Sequence, residues 1–191
     1  MKDSKEYFYI SKVYGNKKAK RSNLPLMNHI DEGLDILDIL NASDESKRAF
    51  CIHSIFQFEN LIEYRNDYLK MTTDEDFVIV GLARKYSVLA NRFLCKPETD
   101  NWDKPEIVKQ LISANGGYII SADISKMLLA DKTQNYKDFM LHHYGVHERS
   151  HELFNYFNLW IDVLNPRAVN LTILNNWLET SGVLPFPSAT E

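Results

Sequence analysis

The chain has 191 residues, 45% hydrophobic and 25% charged, a balance that fits one domain, with or without an appended arm, and a packed core rather than a disordered chain. Its net charge of -4 gives no general electrostatic reason to bind nucleic acid or an anionic membrane surface. No apolar run is long enough to cross a bilayer, the N-terminus MKDSKEYFYISK lacks a signal-peptide core, and the distant Cys51 and Cys95 indicate no disulfide scaffold, so a cytoplasmic protein with reduced thiols is expected.

Glycine is scarce, at seven, and apolar residues recur at helical spacing, so the predicted fold class is all-α. Residues 4–14 are predicted as a short helix. The loop GNKKAKRSN (15–23) follows and is the most basic local run. Pro25 opens a helix through about Asn41, with Leu26, Ile30, Leu34 and Leu37 on one stripe. Ser43-Asp44-Glu45 caps the next helix, which carries CIHSIFQFEN (51–60). Residues 58–70 continue as a separate helix, and Thr73-Asp74-Glu75-Asp76 starts another that runs to about Leu94. The segment KPETDNWDKPE (96–106) is a loop with two prolines. A short helix over 105–113 precedes the stop Asn115-Gly116-Gly117. Helices over 119–143, 149–164 and 167–180 complete the domain, which is expected to span 1–181. The tail, 182–191, is expected to be frayed or extended on the surface.

Three polar residues interrupt apolar helix faces. His29 shares a face with Leu26, Gly33 and Ile36. His53 sits among Cys51, Ile52, Ile55 and Phe56, and Asp131 follows Met127-Leu128-Leu129-Ala130, one turn before Asn135. A buried polar group needs a partner. These three are either separately satisfied core residues, one another's partners, or joint ligands of a metal ion.

Other motifs read more plainly. HERSH (147–151) matches the HExxH pattern of zinc peptidases, which requires both histidines one turn apart on a helix. Gly145 lies just upstream and Ser150 reads as a helix N-cap, so the motif is expected to straddle a loop and a helix start. His142-His143 reads as a helix C-terminus, where imidazolium suits the dipole. Phe154, Phe157 and Trp160 are core or interface aromatics, and an exposed aromatic helix there could support a homo-oligomer.

NLPLMNHI (23–30), AFCIHSIFQ (49–57) and MLLADKTQNYKDF (127–139), in that order, resemble the HD-domain phosphohydrolases. The likeness is to the (p)ppGpp hydrolases, the RelA/SpoT type and the small alarmone hydrolases. ELFNYFNLWIDVL (152–164) is similar to that family's closing helices, and the resemblance spans roughly residues 8–180. It implies a single HD-like helical bundle that hydrolyses a phosphorylated nucleotide with a divalent ion, manganese, cobalt or zinc. It implies metal-ligand roles for His29, His53 and Asp131, and a site-orienting or nucleotide-contacting role for Asn135. The basic loop, with Lys17, Lys18, Lys20 and Arg21, falls where that family contacts substrate, and cations there suit phosphate.

The resemblance breaks at one place. The family's fourth ligand, an aspartate after the second histidine, is Ser54 here, and its two water-activating acids fall at Gln57 and Phe58. A serine is a poor ligand for manganese, and a phenylalanine cannot accept a proton. Glu59, Glu63 and Asp67 follow, either as a substitute base or as an exposed acidic face. Two functions therefore stand: a metal-dependent nucleotide phosphohydrolase with Gln57 at a catalytic position, or a pseudoenzyme that binds a nucleotide or a protein partner without turnover.

Overall fold

The computed structural model describes residues 1–19, 22–92, 103–165 and 171–186. Among them the chain forms helices and no strand, as the periodicity predicts, with a lone antiparallel bridge between Lys18 and Pro25. The helices are α1 (Lys5–Tyr14), α2 (Leu26–Ile39), α3 (Asp44–Gln57), α4 (Ile62–Lys70), α5 (Phe77–Arg92), α6 (Lys104–Ala114), α7 (Ala122–His142), α8 (Ser150–Leu164) and α9 (Leu171–Thr180). Single 3-10 turns, Glu59–Leu61 and Asp74–Asp76, lead into α4 and α5.

Helix starts follow short polar side chains that satisfy otherwise orphaned backbone N–H groups. Ser4, Ser43, Asp103 and Ser121 accept from the amides of Tyr7, Ser46, Glu106 and Ile124 respectively. Each such cap contributes about 1 kcal/mol.

Two helices sit inside the bundle. In α3 every residue from Ala49 to Phe56 is buried, and this helix packs on α1, α2, α4, α5 and α7. The middle of α7 is buried through an unbroken run from Met127 to Gln134, and it packs on α2, α3, α5 and α8. A helix surrounded on all sides has no solvent face for its polar residues. Asp131, Lys132 and Gln134 find partners within the protein, while the buried Thr133 hydroxyl makes no hydrogen bond.

One ionic network ties the outer helices to this centre. Glu6 on α1 is fully buried and accepts two hydrogen bonds from Arg48 of α3, at 2.8 and 3.0 Å, and one from the Tyr68 hydroxyl of α4 at 2.8 Å. Arg48 also reaches Asp76, which takes Lys5 at 2.7 Å. Burial alone would raise the Glu6 pKa, but the bonds from Arg48 and Tyr68 outweigh it and hold the carboxyl below its ordinary range.

Several element boundaries differ from the sequence expectation. The helix predicted over 119–143 begins only at Ala122, because Ser121 is extended and caps it, and the Asn115 amide holds the Tyr118 and Ile119 carbonyls in the preceding loop. Ser150 is not an N-cap. Its hydroxyl donates to the His147 carbonyl at 2.6 Å and accepts from the Gly145 amide at 3.1 Å, closing the turn before α8. The segment after α9 is only partly a surface tail: Val183 and Phe186 are buried, and Phe186 lies 4.7 Å from the Tyr136 ring. Phe157 and Trp160 are likewise spent in the core. Cys95 and the loop expected over 96–106 fall largely outside the described residues, whereas Cys51 is a buried free thiol that burial pushes up to about 12.

Candidate metal centre

The three polar residues that break apolar faces meet. His29 comes from the first turns of α2, His53 from the late part of α3 and Asp131 from the middle of α7. One ligand atom of each lies within 4.8 Å of the others, and among the described residues this is the one such grouping of His, Cys, Asp and Glu.

The histidines are held in one tautomer by their outer nitrogens. His53 Nδ1–H donates to the Phe50 carbonyl at 2.5 Å, one turn back on its own helix. His29 Nδ1 lies 2.6 Å from Gln134 Oε1. That amide's nitrogen donates to Glu32 at 3.1 Å and to Asp138 at 2.9 Å, which fixes the oxygen toward the imidazole. Each Nδ1 thus carries a proton, and Nε2 is the ring nitrogen left to act as a ligand. The His29 Nε2 lies 3.5 Å from Asp131 Oδ1. Ligands about 2.0–2.1 Å from a tetrahedral zinc stand about 3.4 Å apart, so this edge fits such an ion.

Electrostatics put His53 and Asp131 in their ligating forms. Burial pushes the His53 imidazole down to about 4, His29 adds to that, and Asp131 opposes it, so His53 is neutral at pH 7. For Asp131, burial alone would raise the carboxyl, but Lys132, His29 and His53 hold it below its ordinary range. Asn135 donates to Asp131 Oδ1 at 2.9 Å and to its backbone carbonyl at 2.8 Å, fixing the carboxylate's direction. Tyr86, whose ring stands 5.1 Å from that of His53, is kept protonated by burial and by the Asp131 charge.

Packing orients the rings further. The Phe50 ring lies 4.7 Å from His53 and 5.7 Å from His29. Gly33, one turn after His29, makes room for it: a Cβ there would come within 2.2 Å of the Phe50 ring edge.

The group opens into a cleft of about 420 Å³. Ser54, Gln57 and Phe58 line it, so the three positions where the family resemblance expects acids do face the same space. The Ser54 hydroxyl is buried without a well-formed hydrogen bond, and the Tyr14 phenol is its polar neighbour. Asn135 lines the cleft as well.

Among the described residues, the basic loop brings no cation to the cleft. Ala19 borders the cleft, but Lys17 and Lys18 are exposed and do not. Lys17 turns away, donating to the Val13 carbonyl at 2.9 Å and lying 5.5 Å above the Tyr64 ring. Lys20 and Arg21 lie outside the described residues. Glu59, Glu63 and Asp67 are exposed and away from the cleft wall, which favours their reading as a solvated face.

HERSH does not form a peptidase site. His147 lies in the turn before α8, where its Nδ1 accepts from the Arg149 amide at 3.0 Å, while exposed His151 starts the helix beside Asn155. The His142-His143 pair does end α7, as expected.

Two groups at the site are not singled out by the sequence pattern. Gln134 supports His29, and Lys132 lines the cleft beside Asp131 with its ammonium 3.4 Å from Oδ2. The signal for both is the length of α7: a buried run longer than one face leaves its polar residues no solvent, so Lys132 and Gln134 turn to partners inside the protein. No family model, curated protein or solved structure matches the chain. No helix among the described residues is long and apolar enough to cross a membrane.

Proposed function

We propose that the chain is a divalent-metal phosphohydrolase of the HD type, acting on a phosphorylated nucleotide related to (p)ppGpp. The reading is carried by one observation, the meeting of His29, His53 and Asp131 at the floor of a cleft. Two imidazoles and one carboxylate, with room left for a further ligand, suit zinc, with cobalt or manganese as alternatives. Such an ion, when bound, would polarise a phosphoryl oxygen and acidify water.

The protein's own groups have definite tasks. His29 and His53 would offer Nε2, each oriented by a hydrogen bond at Nδ1, and such outer partners typically matter for metal affinity. Asp131 would supply charge and Asn135 would keep it aimed. Phe58, Tyr156 and Phe157 give the cleft apolar walls that limit water around the reacting group.

A second reading is favoured by Ser54, Gln57 and Phe58, which leave the α3 wall without a carboxylate to activate water. The carboxylates that do line the cleft already have partners: Asp131 holds Asn135, and Asp138 is bonded by Gln134. On that reading the protein binds a nucleotide, or a protein partner, without hydrolysis.

Purified protein incubated with (p)ppGpp and a nucleotide panel, in manganese, cobalt or zinc, separates the two. Release of phosphate or pyrophosphate is expected. Calorimetric binding without release favours the second reading, and neither binding nor release would sink nucleotide recognition altogether.

A further inference from the structure

Lys132 is not one of the three ligand side chains, yet its position beside Asp131 is unusual. Its side chain is only 6% exposed but lines the cleft, one residue beyond Asp131 on α7. The ammonium carries three N–H donors. Its polar neighbours are Asp131 Oδ2, at 3.4 Å, and the Tyr156 hydroxyl, and the rings of Tyr156 and Trp160 lie 5.4 and 5.6 Å away. The contact to Asp131 is longer than the 2.7–2.9 Å of a strong charge-assisted hydrogen bond. At least one donor is left for a ligand in the cleft.

The charge around that donor is set by this chain's own substitutions. Ser54, Gln57 and Phe58 are uncharged, and Asp138, bonded by Gln134, stands 3.2 Å from Lys137, a cation it shares with Glu32. With a divalent ion on His29, His53 and Asp131, the carboxylate's charge is committed to the metal, and Lys132 stands beside it as a second cation. Metal, carboxylate and ammonium then sum to a net charge of +2, where three acids at positions 54, 57 and 58 would have made it negative.

We propose that Lys132 is an anion-binding residue of the cleft, holding a phosphoryl oxygen beside the metal, and that the loss of acids on α3 makes this a retentive phosphoryl site. This deepens the functional reading above and rests on its metal, but not on turnover. Losing a hydrogen bond to a charged group weakens phosphate by about tenfold or more.

The test is calorimetry of inorganic phosphate with zinc-loaded protein freed of excess metal. Wild type binds phosphate saturably. Lys132→Met keeps zinc at one per chain and binds phosphate about tenfold more weakly or worse. Ser54→Asp, on the α3 wall, leaves Lys132 in place, adds one negative charge, and also weakens phosphate while tightening zinc. It serves if Lys132→Met does not fold. Zinc uptake without phosphate binding, or unchanged phosphate affinity in a folded variant, overturns the proposal alone. Failure of wild type to take up zinc overturns the metal reading and this proposal together. Absence of hydrolysis bears on neither result.

Discussion

His53 is a buried imidazole kept neutral by its surroundings, and that makes it a pH-dependent element of stability. Its folded pKa of about 4 lies below the ordinary 6.5. Between these values the unfolded chain binds a proton that the folded chain does not, so acid favours unfolding. Stability from this group is complete above about pH 6.5 and is lost as the pH falls to about 4, by about 3 kcal/mol at most. Urea unfolding in chelator across this range should show that slope in wild type and a flatter one in His53→Phe. Asp131, Glu6 and Asp76 have lowered pKa values, so their contributions fade at more acid pH and separate from that of His53. Glu6 gives a second single-residue expectation. Glu6→Ala leaves Arg48 and Tyr68 without their buried acceptor, a loss of about 3–5 kcal/mol that denaturant midpoints would register.

Helices α2 and α3 approach closely because Gly33 admits the Phe50 ring, and that ring backs both histidines. Gly33→Ala should overpack this contact, costing about 1–3 kcal/mol and weakening zinc without touching a ligand. Gly33→Ala/Phe50→Leu should recover much of the stability. A single variant with unaltered thermal midpoint and zinc affinity would contradict the role given to this contact. Sequence reading reached the helices and the polar exceptions on them, because serine and aspartate caps and the 3.6-residue period act locally. It did not reach Gly33, since nothing in a glycine's neighbours tells which ring will face it. It misread Ser150 because its hydroxyl is drawn into a turn by Gly145 and His147, contacts that depend on the path of the chain. His29, His53 and Asp131 stood out as polar residues on apolar faces, but their meeting is a fact of packing between helices far apart in sequence. The family resemblance implies a phosphate-contacting role for Lys17, whose ammonium here is engaged by its own helix end and by Tyr64.

Across the bundle, the buried polar groups join α1, α3 and α4 through Glu6 and join α2 to α7 through Glu32, Gln134 and Lys137. The second of these networks ends on His29, so the metal centre is braced by the same contacts that dock α7 on α2. An ion that binds only the folded chain then stabilises the entire bundle, by about 2.7 kcal/mol at a hundred times its dissociation constant. Thermal unfolding with and without zinc should display this gain in wild type and lose most of it in Asp131→Asn. The most direct measurement is metal content after zinc loading and desalting, by elemental analysis, for wild type, His29→Ala, His53→Ala and Asp131→Asn. One ion per wild-type chain, with each folded variant largely emptied, is the predicted result. A wild type that retains no metal, or variants that retain it fully, would contradict a centre built from these three side chains.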